Sequence, residues 1–169
     1  MPELEEGNLV FDFPCNVDEV TKYDEWSFYR NQFSKLADGI KAVDFIFLEQ
    51  DTCWLIEVKD YRVNRRTKLI DLADEISIKV KDTIAGLFTA KINANDPYEK
   101  NFAQSSNRKS RIRVVLHLEQ PTKPSKLFPV IINEADIKSK LKSKIKAVDP
   151  HPIVMNKNSS IASVNWTIF

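Results

Sequence analysis

Two apolar runs, AVDFIFL at 42–48 and CWLIEVK at 53–59, are separated by only four residues, EQDT, and this feature constrains the fold more tightly than any other in the chain. Aromatic and β-branched residues bounded by turn formers make strands, and so short a polar connection joins them as an antiparallel hairpin. A turn centred between Gln50 and Asp51 places Phe47 opposite Trp54, Phe45 opposite Ile56 and Val43 opposite Val58. That face is apolar throughout and is expected to be core. On the other face Leu48 meets Cys53, Ile46 meets Leu55 and Asp44 meets Glu57, with Lys59 one step beyond. An odd-length turn would send Asp44 and Glu57 to different faces.

The remaining segments read as alternating elements. NLVFDF is a short strand ending at Pro14. Asn16 or Asp18 caps a helix reaching about position 37, with Tyr29, Phe33 and Leu36 at helical spacing and Gly39 just past its end. From 69 to about 92, Leu72, Ile76, Val80, Ile84, Leu87 and Phe88 recur every three or four residues and predict a long amphipathic helix. The polar stretch 93–110 is expected to be loop-rich, with Pro97 breaking any helix. RIRVVLHLEQP is another strand, Asn133 and Asp136 bracket the capped start of a lysine-rich helix reaching about 147, and PIVMN and VNWTIF are late strands. The pattern is α/β with a mixed sheet.

Length and composition bound the class. A chain of 169 residues, 43% apolar and 29% charged, suits a single domain spanning 1–169. No run approaches the roughly 18 apolar residues of a membrane helix, and the acidic start MPELEEGN lacks a signal peptide's basic and apolar regions, so a cytoplasmic protein is expected. Cys15 and Cys53 form no CxxC pair, which points to free thiols rather than zinc or disulfides. The net charge of +1 hides an asymmetry: residues 1–60 carry a net of −9 and the remainder +10. Either an acidic site lies beside a basic, anion-binding surface, or both sets solvate the surface.

Carboxylates opposed across a hairpin have Cβ atoms about 5 Å apart and repel. A proton on one of them, or a hard cation such as Mg²⁺ or Mn²⁺ between them, offsets that repulsion; an ion pair from Lys59 to both acids is the alternative. Two carboxylates, a metal and a lysine fit phosphodiester hydrolysis, the metal activating water and stabilising charge on phosphoryl oxygens.

The stretch KAVDFIFLEQDTCWLIEVK, 41–59, resembles the core signature of the PD-(D/E)XK nuclease superfamily: an aspartate at the start of one strand, then a Glu-apolar-Lys triplet on its partner. Val43 stands where the superfamily has proline. The resemblance implies a restriction-endonuclease-like α/β sandwich, a central mixed β-sheet flanked by helices. It also implies that Asp44 and Glu57 ligate Mg²⁺ or Mn²⁺ and that Lys59 assists the water or the scissile phosphate. Many members add a glutamate from the first helix; Glu25, four before Tyr29 and eight before Phe33, fits better than Glu19, whose place near the helix start is favourable for the dipole alone.

Lys79 borders the stripe of the long helix, either contacting phosphate or snorkelling. His117, between Leu116 and Leu118, reads as a hydrogen-bonded core histidine, and His151 as a turn residue. Arg62, Arg65 and Arg66 follow the signature and are candidates for phosphate contacts, as are the lysines of KSKLKSKIK. The expected function is metal-dependent phosphodiester hydrolysis, on DNA rather than RNA, with a homodimer addressing both strands. The alternative is a noncatalytic nucleic-acid or protein-binding module on the same scaffold. No zinc finger, helix-turn-helix or P-loop signature accompanies the domain.

Overall fold

The computed structural model describes residues 1–169. Its centre is the hairpin of β4 (Phe45–Glu49) and β5 (Thr52–Asp60). Phe45 pairs with Ile56 and Phe47 with Trp54, in the register read from the turn. Only two residues connect the strands, and Gln50 takes a positive φ of 44° to close the turn. β3 (Val20–Lys22) pairs antiparallel with β4, while β6 (Arg111–Glu119) and then β7 (Ile153–Met155) add in parallel beyond β5. The result is a five-stranded mixed sheet in the order β3-β4-β5-β6-β7.

Both faces of this sheet are covered, which explains why its central strands are apolar at nearly every position. One face, carrying Ile46, Leu48, Leu55, Leu116 and Leu118, packs in one core with residues of α2 (Leu72–Asn93), α3 (Pro97–Asn107) and α4 (Glu134–Ile145). The other, carrying Phe45, Phe47, Trp54, Ile56 and Val115, packs on a small antiparallel sheet of β1 (Glu3–Glu6), β2 (Leu9–Asp12) and β8 (Thr167–Ile168). Phe11 and Phe13 are fully buried there, each contributing on the order of 2–3 kcal/mol. The long helices therefore lie on one side of the sheet, and a second sheet takes the place of helices on the other.

Val43 does not continue the ladder opposite Val58. It joins the helix-side core, while Val58 joins the opposite one. The cause is visible in its backbone: Val43 N–H donates to Thr83 Oγ1 at 3.1 Å and Lys41 N–H to Asp82 Oδ2 at 2.9 Å, so α2 captures the chain entering β4.

The helix expected over 16–37 does not form. Val20–Lys22 instead supplies the edge strand beside β4, and only α1 (Ser27–Asn31) between short 3₁₀ turns is helical. Sheet pairing and burial outweigh helix propensity here, as tertiary context commonly does. The N-terminus of α1 is capped from a distance: both Glu99 carboxylate oxygens accept, from Ser27 N–H at 2.6 Å and Phe28 N–H at 2.9 Å. Pro97 starts a helix rather than breaking one, sitting at the first position of α3 behind the capping Asp96. α2 and α4 lie close to the expected bounds, capped by Asp71 and Asn133.

His117 is a core histidine on β6, fully buried, with its ring edge-on to Phe11 at 5.3 Å and Nε2 3.0 Å from Glu119 Oε1. Burial lowers its pKa below 6.5, and Arg62 adds to that, against the opposing charges of Glu119 and Asp60. The folded state holds the imidazole neutral while the unfolded chain protonates it. The stability this contributes is present above about pH 6.5 and declines as pH falls toward the folded pKa. A His117→Gln variant should therefore show a flatter decline of urea midpoint between pH 7.5 and 5.5 than wild type; parallel declines would refute this.

Candidate functional site

Asp44, immediately before β4, is tied to the neighbouring strand because its Oδ2 accepts from Val58 N–H at 2.7 Å. Glu57 and Lys59 alternate to the helix side of β5, and Lys79 descends on them from α2. Lys59 Nζ and Lys79 Nζ both donate to Glu57 Oε1, each at 2.5 Å, and Lys79 Nζ also lies 3.7 Å from Asp44 Oδ1. Glu57 is fully buried and its Oε2 has no hydrogen-bond partner. Burial and then the charge of Asp44 push its pKa up to about 7, against the pull of the two ammonium groups. Burial opposes the Lys59 ammonium as well, but Glu57 outweighs it and raises the Lys59 pKa.

The network extends through Glu75 of α2. Its Oε2 accepts from Arg66 at 2.6 Å, its Oε1 from Lys68 at 2.6 Å, and Lys59 Nζ stands 3.7 Å away. Burial would raise the Glu75 pKa, yet hydrogen bonds from Lys68 and Arg66 and the charge of Lys59 hold it down at about 2. Glu75 escaped the sequence reading, although it precedes Lys79 by four positions on one helix face, a spacing that flags such neighbours.

The structure thus brings Asp44, Glu57, Lys59 and Lys79 together, but not Glu25. Without the helix that would have aimed it at the sheet, Glu25 lies in a 3₁₀ turn, half exposed and ion-paired with Lys22 at 3.3 Å. Its neighbour Asp24 is the carboxylate that feels the site: burial and then Asp44 raise its pKa, and its Oδ1 is buried without a partner. No group of three or more His, Cys, Asp or Glu is placed to hold a metal ion. Of the residues expected to ligate Mg²⁺ or Mn²⁺, Asp44 and Glu57 come together without a third carboxylate, and Lys59 and Lys79 both donate to Glu57 Oε1.

The cations expected to grip phosphate are mostly committed as well. Arg62 pairs with Asp60 at 2.6 Å, Arg66 with Glu75, and Lys79 with Glu57. Arg65 is exposed and makes no ion pair. On α4, Lys140 and Lys144 pair with Asp71 and Asp74 of the α2 N-terminal region, leaving Lys138 and Lys142 exposed. No helix is long and apolar enough to cross a membrane.

No family model matches the chain, and no solved structure matches it. A cysteine–tRNA ligase of Neisseria meningitidis serogroup A / serotype 4A (strain DSM 15465 / Z2491) is 32% identical over 211 residues, which takes in 99% of this chain. The chain spans about 30% of that relative's length. The relative is a ligase, which overturns the nuclease reading: neither membership of the PD-(D/E)XK superfamily nor metal-dependent phosphodiester hydrolysis stands. The short Asp…Glu-x-Lys pattern is not specific, because an acid on one strand and an alternating acid and lysine on its hairpin partner produce these letters in any buried polar cluster of this kind. The DNA preference and the homodimer, expected from the same reading, lose their basis with it.

Proposed function

We propose that this chain is a noncatalytic tRNA-binding module, corresponding to a segment of a larger tRNA ligase. The observation that carries it is the 32% identity to a cysteine–tRNA ligase along 99% of the chain. The charge layout supports it, because the net charge of +10 beyond residue 60 suits a polyanion. The commitment of Lys59 and Lys79 to Glu57 supports the noncatalytic half: Lys79 of α2 ties that helix to β5 through Glu57, and Lys59 shares the same oxygen.

Fluorescence anisotropy with unfractionated tRNA, and with duplex DNA of equal charge as competitor, tests the reading. The expected result is preference for tRNA by roughly tenfold or more, with affinity falling steeply as salt rises. Lys138→Ala and Lys142→Ala should weaken binding and each reduce the slope of log affinity against log salt by about 1. Equal affinity for tRNA and DNA, or binding indifferent to salt, would sink it.

A further inference from the structure

The loop after β5 and the loop after β6 face each other across a cavity of about 480 Å³, lined among others by Tyr61, Arg65, Arg66, Lys68, Phe128 and Val130. It adjoins a second hollow of about 580 Å³ that shares Arg65 and Phe128 and adds Lys126. No aspartate or glutamate lines either. The lining residues of this groove therefore present cations and no carboxylate of their own, with Glu75 standing behind Arg66 and Lys68. Its cations divide into two kinds. Arg66 and Lys68 are held by Glu75, whereas Arg65 and Lys126 are exposed and free of ion pairs.

Both walls are built in advance of any ligand. Arg66 donates to Tyr61 Oη at 3.0 Å and to the Ile70 carbonyl at 2.6 Å, fixing the first loop to α2 through Glu75. In the second, the Gln120 side chain donates to the Ile132 carbonyl at 2.7 Å and accepts from Ile132 N–H at 2.9 Å. Ser125 N–H donates to the Phe128 carbonyl at 2.9 Å and Phe128 N–H to Ser125 Oγ at 3.1 Å, which sets the aromatic residue in a turn. Apolar surface remains open beside the free cations: Val63, Leu127 and Val130 are each more than two-thirds exposed.

We propose that this groove binds an unpaired stretch of RNA, with a base against Phe128 and flanking phosphates on Arg65 and Lys126. The choice of RNA rests on the tRNA reading above; the groove itself supplies the preference for single strands. Unpaired bases expose faces that stack on aromatic side chains while cations track the backbone, and a paired duplex hides those faces. The volume suits nucleotide-sized groups rather than a double helix.

The test measures anisotropy of a tagged, mixed-sequence RNA hexanucleotide and of a 12-base-pair RNA duplex. Wild type is compared with Phe128→Ala and with Arg65→Ala/Lys126→Ala, their folding checked by circular dichroism. Phe128→Ala should weaken the hexanucleotide by roughly tenfold and leave the duplex unchanged; the double substitution should weaken the hexanucleotide and lower its salt dependence. Unchanged hexanucleotide binding, or equal losses for both RNAs, would overturn the groove. So would an acidic peptide that binds the groove more tightly than the hexanucleotide. If whole tRNA keeps its preference while the hexanucleotide ignores these substitutions, the groove fails and the tRNA reading stands. Groove-dependent hexanucleotide binding with no preference for tRNA over DNA gives the reverse. If no RNA binds, both fall.

Discussion

Between pH 5 and pH 8.5 the wild-type protein is expected to lose roughly 2–3 kcal/mol of stability through Glu57 alone, and a Glu57→Gln variant is expected to lose none of it. The folded-state pKa of this carboxyl is raised from 4.5 to about 7, first by burial and then by Asp44. Between those values the folded protein holds a proton that the unfolded chain has released. The stabilisation is therefore fully present below about pH 4.5 and lost as pH rises through 7. Glutamine keeps the shape and the neutrality of the protonated acid, so the difference in urea stability between the two proteins isolates this group from His117, whose dependence runs the other way. Lys79→Met removes one of the two ammonium groups on Glu57 Oε1 and should move the decline to higher pH. Stability of wild type and Glu57→Gln that changes in parallel with pH would show that the lysines hold Glu57 ionised throughout.

Gly86→Ala should destabilise the fold by about 1–3 kcal/mol, although alanine in a helix interior is ordinarily better than glycine by about 1 kcal/mol. A Cβ at position 86 of α2 would lie 1.9 Å from Tyr23 Oη, and Phe33 Cε1 and Tyr23 Cζ follow at 3.2 Å. Glycine is there so that the 3₁₀ turn carrying Tyr23 can sit directly on the helix. The Tyr23 hydroxyl is buried without a partner, so Tyr23→Phe removes the closest obstacle and an unsatisfied polar group together. In that background Gly86→Ala should cost little, a non-additive pair measurable by urea denaturation of the four proteins in the cycle. Equal cost in both backgrounds would refute the contact as the cause.

These two sites mark the boundary of what the chain's letters disclose. The hairpin, its register from Phe45 to Glu49 and the proximity of Asp44, Glu57 and Lys59 were legible because a two-residue period and a tight turn act over neighbouring positions. α2 and α4 were legible for the same reason, with caps at Asp71 and Asn133. The segment 16–37 was not, because its helical spacing competed with an open sheet edge that only the folded hairpin provides. Glu25 inherited that error, and Asp24 was overlooked for the same cause.

By itself the sequence determined the central strands, the two long helices and the separation of acidic from basic halves, all consequences of local periodicity and turn chemistry. Tertiary structure decided which charges meet. Lys79 reaches Glu57 across 22 positions, Glu99 caps α1 from 72 away, and Glu75 gathers Arg66 and Lys68. Charge pairing between layers depends on which faces pack, and burial then fixes its energetic sign. A motif of two acids and a lysine reads alike whatever the lysine faces; the packing of α2 on the sheet sets Lys79 beside the same Glu57 oxygen that Lys59 reaches.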